Sequence, residues 1–256
     1  MYDVTATGEL LIDFTRNGLS EQNNRIYEAN PGGAPCNVLA MLGKLGYKTA
    51  FIGKVGDDEF GKLLKNTISE QKIDAAGLIL DPNAKTTLAF VDNDETGDRS
   101  FSFYRKPGAD MMLREDEVNY ELIDNCRIFH FGSLSMTDEP VRSATYAMID
   151  YAKKKNKIIS FDPNLRPPLW ESEDLAAKQI WYGIEQCDIL KIADNEIEWL
   201  TGTDDYDKGI EIIRERTHAK LINVTLGPNG SIAYYGNHKV FMEPYLNKET
   251  IETTGA

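Results

Sequence analysis

From residue 127 to residue 226, short apolar runs and stretches of helical spacing take turns with a regularity that few folds accommodate. Residues 128–132, 158–162, 189–193 and 221–226 read as strands. Residues 139–155, 172–185, 195–200 and 207–216 read as helices between and around them, with a further strand over 231–235 after Gly-Pro-Asn-Gly. Repetition of this kind implies a mostly parallel sheet covered on both faces by right-handed crossovers. Such a sheet binds ligands beyond the carboxyl ends of its strands.

The first half interrupts that order. Residues 4–11 read as a strand broken by Gly8, with the carboxylates of Glu9 and Asp13 at its end, and the polar stretch 16–28 as a loop or a short exposed hairpin. Gly32 and Gly33 leave the backbone open to close approach, and Pro35 takes the first position of a helix on which Val38, Leu39, Leu42 and Leu45 recur. Asn37 then lies in the first turn. That is a place to hold a polar ligand, or a tight turn into a core helix. A strand over 49–55 runs through a glycine-rich turn into a helix over 59–72, N-capped by Asp57 or Asp58. Residues 86–92 and 99–105 read as strands of a hairpin joined by the polar segment 93–98, and residues 100–104 alternate polar and aromatic. This hairpin reads as part of a small β-subdomain, joined by the polar segment after Asp13.

Composition narrows the function classes. With 41 acidic against 28 basic residues the formal charge is -13, which excludes long-range attraction to nucleic acid or an anionic membrane. An anionic substrate needs its own local positive site. Cys36, Cys126 and Cys187, like His130, His218 and His238, are too scattered for a zinc or histidine metal cluster, and the odd cysteine count suits a reduced cytoplasm. No basic leader opens the chain, and no apolar run reaches the roughly 18 residues of a membrane span.

The polar residues just after the strands are Asp13, Asp57, Asp162, Asn164, Arg166, Asp194, Asn195, Glu198, Thr225 and Gly227. Carboxylates and amides on one rim suit a polyhydroxylated ligand, since each exchanges two hydrogen bonds with neighbouring hydroxyls, although Asp57 and Asp194 serve equally as helix caps. Residues 161–170 hold three prolines, which stiffen the loop that carries Arg166 and reduce the entropy lost when it grips an anion. Residues 224–230 end a strand in a turn with Gly227 and Gly230, either a phosphate cradle or a plain β-turn. The last residues, Thr253, Thr254, Gly255 and Ala256, look like the approach to a helix N-terminus, an anion site.

The chain resembles the ribokinase-like (PfkB-type) family of sugar kinases, and within it the bacterial fructokinases, essentially from Asp3 to Ala256. The resemblance is carried by residues 8–13, 32–37 and 53–61, by Asn195 and Glu198 as an N-x-x-E pair, by residues 224–230, and by a terminal Thr-Thr-Gly-Ala similar to the start of the family's D-T-x-G-A-G-D motif. Residues 101–105 and 162–166 followed by Trp170 are similar to fructokinase patterns in particular. The resemblance implies a three-layer α/β/α sandwich with a mostly parallel sheet and a small β-sheet lid, one domain over 1–256 with lid strands within 12–30 and 84–107. It implies transfer of the γ-phosphoryl group of ATP, with Mg²⁺, to a primary sugar hydroxyl, fructose above all. A nucleoside or aminoimidazole riboside is the alternative substrate, and a non-catalytic sugar binder the alternative protein. A nicotinamide-dependent dehydrogenase is disfavoured, because no G-x-G-x-x-G follows the first strand.

By the same resemblance, Asp13, Gly32, Gly33, Asn37 and Asp162 hold the sugar, with Phe103 and Arg105 reaching in from the lid. Arg166 sits near the transferred phosphate. Lys191, Asn195, Thr225, Gly227 and Gly230 line the nucleotide, Glu198 orders Mg²⁺, and Gly255 and Ala256 open the anion hole. Glu252 stands where the family motif has Asp, at a monovalent-cation loop, which leaves K⁺ an open cofactor. The family's general base falls two residues beyond Ala256, so these residues alone are expected to bind sugar with negligible turnover and to represent a C-terminally incomplete domain. The aromatic lid face suggests a homodimer.

Overall fold

The computed structural model describes residues 1–93 and 99–245. Strand β1 (Tyr2–Thr7) is followed by a hairpin of β2 (Leu11–Leu19) and β3 (Arg25–Gly32), then α1 (Ala34–Lys44), β4 (Thr49–Gly56), α2 (Glu59–Glu70) and β5 (Ile73–Asp81). A second hairpin, β6 (Leu88–Asn93) with β7 (Arg99–Tyr104), leads to a short α3 (Glu121–Asp124). The regular half then runs β8 (Cys126–Gly132), α4 (Val141–Lys154), β9 (Ile158–Asp162), α5 (Glu173–Gln186), β10 (Ile189–Ala193), α6 (Asp194–Thr201), α7 (Tyr206–Arg216), β11 (Leu221–Thr225), β12 (Ser231–Tyr235) and β13 (His238–Met242).

The large sheet has the order β13-β12-β11-β10-β9-β8-β1-β4-β5. It is parallel from β11 through to β5, and β12 and β13 run antiparallel at one edge. Strand β4 shows why this is a three-layer sandwich. It is buried along its whole length, with Ala50 and Ile52 in one core and Phe51 and Val55 in the other, the two-residue period of a strand covered on both faces. The first core also takes Phe129, Phe131, Phe161, Ile192 and Val224, and the second Leu39 of α1 with Leu64 and Ile68 of α2.

A separate sheet of order β3-β2-β6-β7 joins the two hairpins through parallel pairing of β2 with β6. The expected strand over 4–11 is therefore two strands. The chain turns after Thr7, and Leu11 already belongs to the small sheet. The polar stretch 16–28 resolves to the hairpin reading, with most of its residues exposed. Asp58, not Asp57, caps α2, accepting from the Gly61 N–H at 2.9 Å, and its carboxylate also receives the Thr86 N–H and hydroxyl. The tip of the second hairpin, residues 94–98, lies outside the described residues, as do 246–256.

Two features of the body matter below. Lys54 of β4 is 1% exposed, and its ammonium meets both Glu117 oxygens at 2.6–2.7 Å, Asp81 at 3.2 Å and the Met112 carbonyl at 3.0 Å. The three cysteines are free and buried. Burial raises all three thiol pKa values, that of Cys187 to about 12. Among the described residues no helix is long and apolar enough to cross a membrane.

Candidate active site

Because β1, β4, β8, β9, β10 and β11 are parallel neighbours, the residues that follow them collect along one edge. Registers fix this: Gly132 lies beside Asp162, and Ala193 beside Thr225. The connection leaving β1 and the turn entering α1 meet at that edge. Gly33 holds φ 125° and ψ 118°, and the Glu9 carboxylate beside it accepts the free Ala34 N–H of the first helical turn at 2.8 Å. Glu9 is 4% exposed. Burial lifts it to about 7, against partial relief from that N–H.

Asp13 stands on β2 over Gly32. A methyl group added at Gly32 would come within 2.1 Å of its Oδ2, so the absence of a side chain there is what gives the carboxylate room. In register across the small sheet, Asn30, Asp13, Ala89 and Phe103 form one row and share a face. The opposite face gathers Phe14, Tyr27, Phe90 and Tyr104, with Phe14 stacked on Phe90 and edge-on to Phe60 of α2. The aromatic alternation seen in sequence thus divides Phe103 from Tyr104. Asn37 is half-buried in the first turn of α1, its N–H bonded to the Gly33 carbonyl.

On the other side of the edge, Asp162 ends β9 and pairs with Lys191 of β10 at 3.2 Å. Burial raises its pKa, and the lysine only partly offsets this. Asn164 takes the left-handed φ of 43°, and its N–H returns to Asp162. Glu196 straps the loop down, accepting from the Leu165 N–H at 2.7 Å and the Ala193 N–H at 2.8 Å. Arg166 is half-buried, with Nη1 donating to the Leu165 carbonyl. Asn195 and Glu198 are exposed on α6 at the i,i+3 spacing that puts them on one face. Thr225 closes β11, and Gly227, at φ 53°, has open space where a side chain would stand.

Two expected site residues are placed elsewhere. A methyl at Gly230 would meet the Met242 carbonyl at 2.2 Å, so its bare Cα lets β13 approach, where the expectation had this glycine lining the nucleotide. Arg105 is 3% exposed and bonded on all three guanidinium nitrogens to protein groups, where the expectation had it reaching into the cleft. Gly255 and Ala256 lie outside the described residues. Glu9 and Glu196 were not among the expected site residues, and both prove to fasten backbone at the edge. Their signal was available, a carboxylate one or two residues after a strand or three into a helix, but it looks the same as a ligand-binding carboxylate.

Buried titratable groups give this region opposed pH slopes. Glu9 titrates near 7 rather than 4.5, so between those values the folded chain keeps a proton that the unfolded chain has released, and stability falls as pH rises. His130, beside Ser160 at 3.0 Å, is pushed by burial to about 4 from 6.5, so there stability falls as pH drops. Relative to wild type, Glu9→Gln is expected to gain stability with rising pH between 4.5 and 7, and His130→Gln with falling pH between 6.5 and 4. The expected slope is about 1.4 kcal/mol per pH unit for each. Urea titrations from pH 4 to 8 read both slopes; variants that track wild type at every pH contradict the assignment.

A sandwich with a small sheet at the carboxyl edge of its parallel strands, and polar side chains from both converging there, has the ribokinase-like fold of sugar kinases. The model of the pfkB family carbohydrate kinases matches residues 1–256, and the chain belongs to that family. It is 42% identical over 255 residues to "Probable fructokinase-2" of Arabidopsis thaliana, covering 99% of this chain and 77% of that one. The fructokinase from Xylella fastidiosa with bound ATP superposes with a TM-score of 0.87 at 31% identity, over 97% of this chain and 76% of that one. A double mutant of the Vibrio cholerae O395 fructokinase, with fructose, ADP and potassium ion bound, gives 0.86 at 31% identity, over 97% and 77%.

Proposed function

We propose that this carbohydrate kinase transfers the γ-phosphoryl group of ATP to the primary hydroxyl of fructose, giving fructose 6-phosphate. The observation that carries the reading is the placement of Asp13 against the bare face of Gly32, on the same sheet face as Phe103, in a chain whose relatives and structural neighbours bear the fructokinase name. A carboxylate so placed accepts from two adjacent sugar hydroxyls while the aromatic ring covers the apolar side of the sugar. Gly32, Gly33, Asn37 and Asp162 complete the sugar site, and Arg166 meets the transferred phosphate.

Lys191, Asn195, Thr225 and Gly227 line the nucleotide, and Gly255 and Ala256 open an anion hole. Among the described residues no three His, Cys, Asp or Glu come together to hold a metal. Glu198 with phosphate oxygens suits Mg²⁺ by its own chemistry, since that ion takes one or two carboxylates plus substrate phosphates and supplies charge relief when bound. Phosphoryl transfer asks the protein chiefly for positioning and electrostatic relief, and these residues are of the types that provide both. Potassium activation, pairing of two copies through the small sheet, and a cytoplasmic site of action belong to the same proposal.

Calorimetry with fructose, other sugars and ribosides, beside an ADP-release assay with ATP, tests it. Fructose is expected to bind, and Asp13→Asn to weaken it by about 10–100-fold with ATP affinity unchanged, the loss of one charge-assisted hydrogen-bonding group. Binding of a riboside with none of fructose overturns the substrate assignment.

A further inference from the structure

Arg105 follows β7, where the chain leaves the small sheet. Its Nε donates to Asp110 Oδ2 at 2.7 Å, Nη1 to the Thr137 hydroxyl at 3.0 Å and Nη2 to the Leu134 carbonyl at 2.8 Å. Asp110 is 4% exposed, and its other oxygen accepts from the Thr87 hydroxyl. Thr87 lies where the chain enters the same sheet, and its carbonyl accepts from Ile12 N–H at the start of β2. The connection after Arg105 runs close by, since a methyl at Gly108 would come within 1.9 Å of the Thr87 hydroxyl. One guanidinium thus ties three crossing points of the small sheet to Asp110 and to the buried segment 134–137, which follows β8 in the body.

Each guanidinium nitrogen is engaged inside the protein, which gives this side chain a task other than reaching into the cleft. A planar fork donating to three acceptors fixes direction as well as distance, which a single point charge does not. Asp13 is the next residue after Ile12, and Phe103 precedes Arg105 by two. Rotation of the sheet about its base moves both.

We propose that Arg105 is a positioning residue that sets the angle of the small sheet, and through it the placing of Asp13 and Phe103, without touching the sugar. This rests on the sugar-kinase reading for what the sheet is held over, but not for the holding itself.

The test compares wild type, Arg105→Lys and Thr137→Val, the last of which keeps the Arg105–Asp110 pair and removes one acceptor. Hydrogen exchange is followed in the absence of sugar, and fructose and ATP affinities by calorimetry. Arg105→Lys is expected to speed amide exchange in 88–91 and 102–104 while leaving the large sheet protected. It should raise the fructose Kd by about 10–100-fold, as a displacement of about 1 Å does, and leave the ATP Kd unchanged. Thr137→Val should move the same two readouts by less.

Weakened fructose binding with unchanged exchange in the small sheet would mean direct contact and overturn the proposal, as would two variants indistinguishable from wild type. If Arg105→Lys does not fold, Thr137→Val decides by the same criteria. If wild type binds no fructose, the functional reading has failed, and the exchange measurement still decides whether Arg105 holds the sheet.

Discussion

A Gly33→Ala chain is expected to lose about 3–5 kcal/mol of stability and all measurable sugar affinity. At φ 125° an L-residue is already strained, by about 1–3 kcal/mol. The added methyl would stand 2.3 Å from the Glu9 carbonyl oxygen and 3.1 Å from the Leu10 Cα. Both obstacles are backbone, so no rotamer change relieves them, and forced overpacking adds about 1–3 kcal/mol more. The segment that must yield is the one joining β1 to the small sheet, with Glu9 bonded to the start of α1. Relief therefore comes at the expense of the edge that carries Asp13 and Asn37. Urea unfolding together with fructose calorimetry checks this; a loss below about 1 kcal/mol would mean that the turn is not what holds the edge.

Lys54→Met is expected to cost about 3–5 kcal/mol at neutral pH, the usual penalty for removing one partner of a buried ion pair. Glu117 and Asp81, only 19% and 14% exposed, would face each other without the ammonium between them. In the wild type, Asp81 stays below the ordinary carboxylate range: burial pushes it up, but the Asn83 N–H and Lys54 outweigh that. Its stabilisation is therefore present above the unfolded-state pKa and lost as pH falls through the lower folded one. The gap between variant and wild type should narrow in acid, where the orphaned carboxylates take up protons. Adding Glu117→Gln should recover part of the loss at pH 7. Urea titrations at pH 4.5 and 7 measure both effects, and a gap that is constant with pH would show that the ammonium does not neutralise these two groups.

The half of the chain that was readable from sequence is the half that is buried. Strands β9, β10 and β12 have the bounds their apolar runs gave, each with two buried apolar residues at the two-residue period of a strand, Ile159 and Phe161, Leu190 and Ile192, Ile232 and Tyr234. Apart from β7, the edge strands were not readable. Strand β5 is interrupted by Ala75, Ala76 and Gly77, β13 is exposed along its length, and β3 is polar and mostly exposed. Local pattern cannot report pairing that comes from a distant strand. The same limit applies to the site. Asp13, Gly32 and Asp162 could be marked because turn chemistry and strand ends are local features. Arg105 was expected in the cleft through the family resemblance alone, which does not report what surrounds a side chain. What consumes it lies at Asp110, Leu134 and Thr137, up to 32 positions away.

The burial of every sulfhydryl has a practical corollary. Cys36 sits under the first turn of α1, Cys126 begins the central β8, and Cys187 follows α5, so sulfur is distributed through the interior with none at the surface. Since the thiolate is the reactive form, raised pKa values suppress alkylation and oxidation even where an oxidant penetrates. Ageing in air therefore has to wait for the molecule to breathe, and a freshly opened preparation betrays itself by the reagent it consumes.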